Sequence, residues 1–249
     1  MNYFYNKTIW ITGASSGIGE ALAIELSKLD ANLILTARRK EELERVKKAC
    51  GNKNVAIFPC DLEQIDEIDD LSRKVQSEFP EIDILINNAG VNIPQPIDEV
   101  KDETWDQVIE INLTSIMRLT RALVPAMKKQ KWGRIVHISS VLGVGSKPAR
   151  NAYSATKASL LGLAKASALD LGPFGITVNC IGPGPFLTDM PMSLLSDSEK
   201  DEFSRATALG RWGEPRELAG PALLLASEAG SYITGEMLLV DGGAFARAL

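Results

Sequence analysis

Tyr153 and Lys157 lie four residues apart in Asn-Ala-Tyr-Ser-Ala-Thr-Lys, and Ser140 lies thirteen positions upstream. On a helix, residues at i and i+4 project from one face. A phenol and an ammonium placed this way can act on one reacting atom, and a hydroxyl can join them. A free phenol titrates near 10, roughly three units from neutral pH, and each unit costs about 1.4 kcal/mol. A fixed cation beside it predicts a pKa drawn down toward neutrality. Proton exchange with a ketone or alcohol oxygen is the chemistry these groups could do. Ser139 competes for the hydroxyl role, although strand alternation points it away from Ser140.

A second cluster predicts what shares that site. Thr12-Gly13-Ala14-Ser15-Ser16-Gly17-Ile18-Gly19 joins an apolar strand signal to a helical stretch. Glycines let backbone pass close to a pyrophosphate, and a helix N-terminus favours negative charge. The spacing GxxxGxG departs from the common GxGxxG, so position between strand and helix carries the reading. A NAD site usually offers a carboxylate at the end of the second strand to hold the ribose 2′-hydroxyl. Here Ala37 takes that place, followed by Arg38 and Arg39. Both can grip a 2′-phosphate with charge-assisted bonds. Such bonds are worth roughly 1.5–3 kcal/mol each, a preference of about ten- to hundredfold. NADP(H) is the expected cofactor and NAD(H) the alternative. In the plainer reading, both arginines simply open a solvated helix with Glu41, Glu42 and Glu44.

Strand signals at Lys7–Thr12, Asn32–Ala37, Val55–Pro59, Ile82–Asn87, Arg134–Ser139, Ile176–Ile181 and Glu236–Val240 must position these groups. They alternate with helical patterns at Gly17–Leu29, Lys40–Cys50, Glu63–Phe79, Lys101–Lys129, Asn151–Leu171 and Pro215–Ser227. Apolar strands alternating with helices predict an α/β fold with a doubly wound parallel sheet covered on both faces. At 249 residues, with no linker, repeat or low-complexity segment, one domain is expected. Gly182–Gly213 lacks strand signal and is rich in Pro, Gly and Met; Ser196-Asp-Ser-Glu199 within it matches a capping box. An insertion of this length is usually functional or mobile. Residues 185–212 are read as a lid whose Phe186, Leu187, Met190, Met192, Leu194 and Leu195 line a substrate site; an oligomer contact is the alternative.

Together these residues resemble the short-chain dehydrogenase/reductase family over essentially the whole chain. The matching pieces are Thr12–Gly19, Asp61-Leu62, Asn87-Asn88-Ala89-Gly90, Asn112, Ser140, Tyr153-Ser-Ala-Thr-Lys157 and Pro183-Gly184. The resemblance implies a Rossmann-like sheet of seven strands and a Ser–Tyr–Lys–Asn active site made of Ser140, Tyr153, Lys157 and Asn112. The family spacing to Tyr153 selects Ser140 over Ser139. The resemblance assigns Asp61 and Leu62 to the adenine end and makes Asn88, Ala89 and Gly90 part of the support for the central strand. Thr188 looks like the residue contacting the nicotinamide carboxamide. Asn112, inside the fourth connecting helix, resembles the family residue that holds a water for proton relay. Lys157 would also hold the nicotinamide ribose.

The pattern is similar to 3-oxoacyl carrier-protein reductases and to sugar-acid or polyol dehydrogenases of the same family. Carrier-protein reductases often place a basic residue where Phe174 stands, which weakens docking of an acidic carrier. The apolar lid favours a hydrophobic ketone, with a gluconate-like substrate as the alternative. A cofactor-binding regulatory protein without activity is a third reading, opposed by the presence of both Tyr153 and Lys157. Family members commonly form homotetramers, and an apolar Glu236–Ala244 segment supports a tetramer or dimer. The formal net charge of −5 argues against a nucleic-acid surface. Lys128, Lys129 and Lys131 read as a solvated helix end. No apolar run approaches the roughly 20 residues that span a bilayer, and no signal peptide is read at the start. Cys50, Cys60 and Cys180 form no metal-ligand pattern and predict inert thiols in a reducing cytosol. His137, the sole histidine, is expected to be a satisfied structural residue, and the four tryptophans are expected to pack.

Overall fold

Thr8–Thr12 is buried at every position, and a strand without polar alternation needs cover on both faces. It forms β1 of a parallel sheet in the computed structural model, which describes residues 2–51, 54–188, 192 and 195–246. The other strands are β2 (Asn32–Ala37), β3 (Val55–Pro59), β4 (Ile84–Asn87), β5 (Gly133–Ile138), β6 (Ile176–Pro183) and β7 (Met237–Val240). Their order is β3-β2-β1-β4-β5-β6-β7, a doubly wound parallel sheet of seven strands as expected. Chain order reverses between β1 and β4, where Ile9 pairs with Ile84 and Ile11 with Ile86. Ligands of such sheets bind in the crevice beyond the carboxyl ends of strands at this switch point.

Alternate residues of each strand feed two cores. Ile9, Ile11, Leu33 and Leu35 pack with Leu22 and Leu26 of α1 (Gly17–Ser27) and Leu43 and Val46 of α2 (Lys40–Ala49). Leu225 of α8 (Ala219–Leu225) completes that face. Trp10, Ile34 and Leu85 point oppositely, onto α3 (Ile65–Glu78), α5 (Ser115–Gln130) and α6 (Asn151–Leu171). Trp10 is fully buried, and its Nε1 donates to Thr36 Oγ1 at 2.9 Å.

One helical expectation needs correction. The stretch read as a single helix over Lys101–Lys129 is α4 (Asp102–Ile109), a π-helical turn over Glu110–Thr114, and then α5. A π-turn accommodates an extra residue and often marks a functional site. This one carries Asn112, whose side chain is tied outside the helix.

Candidate active site

The crevice above the switch point is a cleft of about 840 Å³ lined by Gly13 and Ser15–Ile18 of the glycine turn, with Gly19 behind them, and by Arg38, Arg39, Asp61, Leu62, Asn88–Gly90, Ser140, Tyr153, Lys157, Pro183, Gly184 and Thr188. These sequence-predicted residues thus meet in one place. Asn112 borders them rather than lining the cleft: its Oδ1 accepts from the Val91 N–H at 2.8 Å. Its Nδ2 donates to the Val91 carbonyl at 2.9 Å and to Thr156 Oγ1 at 3.2 Å. Thr156 Oγ1 in turn donates to the Tyr153 carbonyl at 2.8 Å. The Asn112 amide is therefore committed to holding the backbone around the site.

Tyr153 and Lys157 share one face of α6, with the Lys157 Nζ 5.6 Å from the centre of the phenol ring. The ammonium donates to the Ile138 carbonyl at the end of β5, at 2.7 Å. Ser140 lies two residues beyond the end of β5 and accepts from the Leu142 N–H at 3.1 Å. Ser139 also borders the cleft, and its hydroxyl donates to the Lys157 carbonyl at 2.7 Å. Both serines lie beyond the end of β5, so their different partners do not come from strand alternation.

The electrostatics differ from the sequence expectation. Burial pushes the Tyr153 phenol up, and the Ser140 hydroxyl and the Arg150 guanidinium pull it partly back. The phenol therefore stays above its ordinary value instead of falling toward neutrality. Burial weakens the lysine itself, lowering it to about 8. A sequence shows neighbouring charges but not the desolvation of both groups, and desolvation is the larger effect here.

The glycine turn fits a pyrophosphate. Gly13 has φ +64°, and a Cβ there would lie 2.7 Å from Ala89 Cα. At Gly19 a Cβ would fall 2.3 Å from the Gly13 carbonyl oxygen. Ser16 gives the N-terminus of α1 no side-chain cap, which leaves its N–H groups for an anion. A Cβ on Gly17 would be 3.2 Å from Thr188 Cγ2, so Thr188 lies directly over the turn. Asn88 Nδ2 donates to the carbonyls of Thr12 and Gly13 at 2.9 and 3.1 Å, fastening the turn to β4. At the far end, Arg38 Nη1 lies 3.9 Å from Asp61 Oδ2. Arg39 Nη2 lies 3.5 Å from both Ser15 Oγ and Ser16 Oγ. Two guanidinium groups thus border the end of the cleft beside Ala37 and Asp61.

The expected lid begins and ends on one joint. Leu187 N–H donates to the Gly213 carbonyl and Gly213 N–H to the Pro185 carbonyl, both at 2.9 Å. Between them α7 (Asp197–Ala206) starts with the expected capping box of Ser196 and Glu199. Trp212 Nε1 donates to the Lys200 carbonyl at 2.9 Å, and its ring lies 5.7 Å from that of Phe203. Phe186 and Leu195 line the cleft, whereas Leu187 is exposed and does not. Met192 is partly buried, and Met190 and Leu194 fall outside the described residues.

Sequence reasoning missed Lys147 and Arg150, both of which line the cleft beside Tyr153. Lys147 precedes α6 and Arg150 is its N-cap, so no helical periodicity marks them in the sequence. The thiols behave as expected: burial raises Cys50, and both Cys60 and Cys180 are pushed up to about 12. His137 is only half satisfied. Its Nδ1 faces Asn87 Nδ2 at 3.1 Å, while Nε2 has no partner among the described residues. Burial lowers it to about 3, so it is neutral. Among the described residues, no helix is long and apolar enough to cross a membrane, and no cluster suits a metal ion.

Residues 13–244 match a family model described as enoyl-(acyl carrier protein) reductase. The chain is 38% identical over 233 residues to nodulation protein G of Rhizobium sp. (strain N33), covering 94% of each. It is 37% identical over 242 residues to the 3-oxoacyl-acyl-carrier-protein reductase FabG of Escherichia coli (strain K12), covering 97% of this chain and 98% of that one. Among solved structures, a provisionally assigned gluconate dehydrogenase from Agrobacterium tumefaciens superposes with TM-score 0.95 at 29% identity, covering 99% of each chain. YwfH, an NADPH-dependent reductase involved in bacilysin biosynthesis, gives 0.92 at 26% identity, covering 98% of this chain and 100% of that one.

Proposed function

The chain belongs to the short-chain dehydrogenase/reductase family, and on that premise we propose that it interconverts a ketone and a secondary alcohol with NADP(H), acting on a 3-oxoacyl or related hydrophobic carbonyl compound. Membership makes it an oxidoreductase acting on a CH–OH or carbonyl group. The observation that carries the finer reading is the meeting of Ser140, Tyr153 and Lys157 with the glycine turn in one cleft.

The cofactor, when bound, supplies or accepts the hydride. In reduction, Tyr153 holds its proton on the phenol oxygen, where burial keeps it, and gives it to the carbonyl oxygen as charge develops there. Ser140 donates a hydrogen bond to the same oxygen. The Lys157 ammonium stabilises the phenolate left behind. Asn112 is a positioning residue that holds Val91 and, through Thr156, the Tyr153 backbone. Gly13, Ser15, Ser16, Gly17, Ile18 and Gly19 would hold the pyrophosphate. Asp61 and Leu62 would border the adenine, and Asn88, Ala89, Gly90, Pro183, Gly184 and Thr188 the nicotinamide half.

NADP(H) over NAD(H) is supported by Arg38 and Arg39, and by Ala37 in place of a carboxylate. A hydrophobic carbonyl is supported by Phe186, Leu195, Phe203, Trp212 and Phe245 along the cleft. A sugar-acid dehydrogenase is the second reading, favoured by the fit to the Agrobacterium structure. A homotetramer or dimer is supported by exposed Leu169 on α6 and Leu238 on β7. Three free thiols support a cytoplasmic setting.

The deciding experiment measures NADPH and NADH oxidation with 3-oxoacyl thioesters, simple ketones and 5-oxogluconate. Turnover of the first two with NADPH is expected. Activity confined to the oxogluconate would replace the first reading with the second.

A further inference from the structure

Arg150 and Lys147 take no part in the mechanism above, yet both line the cleft at its substrate end. Arg150 is only 7% exposed, and its guanidinium pairs with no carboxylate among the described residues. The hydrogen bond it does make is long, 3.5 Å from Nη1 to the Ala149 carbonyl. A buried charge is normally paired, because burial without a partner is costly.

Glu199 and Glu202 line the same cleft, and the charge of Glu199 acts on both cations, but neither acid makes an ion pair with Arg150 among the described residues. Glu199 Oε2 accepts from the N–H and the hydroxyl of Ser196, each at 2.9 Å, as half of the α7 cap. Glu202 is exposed. The Lys147 ammonium sits 4.7 Å over the Phe203 ring instead of on a carboxylate.

The backbone holds Arg150 in place at a cost. Ala149 has φ 62°, a left-handed conformation that residues with a Cβ rarely adopt. Gln95 fastens the turn: its N–H donates to the Ala149 carbonyl at 3.0 Å, and its own carbonyl accepts from Asn151 Nδ2 at 2.9 Å. Arg150 is thereby fixed one helical turn before Tyr153.

We infer that Arg150, assisted by Lys147, binds a carboxylate of the substrate, so that the compound reduced at Tyr153 is an oxo acid in preference to a neutral ketone, ester or thioester. The inference rests on the Tyr153 reading above. A guanidinium fork matches a carboxylate in two parallel hydrogen bonds. Phe203, Trp212 and Phe245 take the apolar remainder of the molecule.

The test compares kcat/KM for 2-oxohexanoate and 3-oxohexanoate with that for their methyl esters, and for 3-oxohexanoate with that for its N-acetylcysteamine thioester. The wild-type enzyme is expected to favour at least one acid over its neutral partner by roughly ten- to hundredfold, mainly through KM. Arg150→Met should collapse that ratio, and Arg150→Lys should restore part of it. Equal or reversed preference in the wild type, or an undiminished ratio in Arg150→Met, overturns the inference while carbonyl reduction stands. The wild-type ratio decides alone if the variant does not fold. Cofactor binding by fluorescence with no oxidation by any compound overturns the reductase reading, and this inference with it.

Discussion

Ser139 donates its hydroxyl to the Lys157 carbonyl at 2.7 Å, while Ser140, next along the chain, faces Tyr153 across the cleft. Two identical side chains thus have separable tasks. Ser139→Ala is expected to cost about 1 kcal/mol of stability, read by urea denaturation. Ser140→Ala gives up the Leu142 cap, at about 1 kcal/mol, and is distinguished by a kcat lower by about 10²–10³. Equal kinetic losses in both variants would refute the division.

Tyr153→Phe removes the proton donor and keeps the ring. Fluorescence titration should show NADPH binding within a few-fold of wild type, with turnover lower by about 10²–10⁴. Near-wild-type turnover would remove Tyr153 from the acid role.

Arg38→Ala should lower the NADPH-to-NADH ratio of kcat/KM by about ten- to hundredfold. Part of the loss falls on Asp61, whose 3.9 Å partner disappears. An unchanged ratio would return Arg38 to the role of a solvated helix-opening residue.

Lys157 provides a pH signature. Burial brings its ammonium from 10.5 down to about 8. Between those values the unfolded chain binds more protons than the folded one, so this group makes stability rise with pH across that window. Its penalty is fully present below about 8. Lys157→Met lacks the charge, so its stability relative to wild type should become less favourable from about pH 7 to about pH 9.5. Denaturant midpoints at the two values check the sign. In the wild type, the rate of carbonyl reduction should fall as pH rises through about 8, because the phenolate loses its stabilising cation.

Gly19→Ala places a methyl group 2.3 Å from a backbone oxygen that is itself fastened to Asn88. Relief requires the turn to move, at about 1–3 kcal/mol. The expected outcome is a lower Tm and weaker NADPH binding together. Normal binding would show that the turn yields without loss.

Much of this architecture is legible in the chain because its strands are short, apolar and bounded. Thr8–Thr12 and Asn32–Ala37 are legible nearly to the residue. The cradle was legible because glycine at Gly13 and Gly19 answers a steric need that other residues cannot meet. Three features were not. The π-turn around Asn112 keeps the apolar rhythm of a helix on either side, so periodicity passes over it. The raised phenol of Tyr153 reflects burial, which depends on packing from distant elements. Arg150 reads as an ordinary surface cation until the fold closes over it.

The turn over Glu110–Thr114 also sets what the gene can tolerate. The turn absorbs one extra residue, so α4 and α5 keep their places on either side of it. Excising a single codon there would close the turn to ordinary α-helix and leave Leu119 and Leu123 in the core. The loss would fall on Asn112, which would release Val91. Substitution of the half-buried Thr114 should therefore be far milder than a one-codon deletion within the turn.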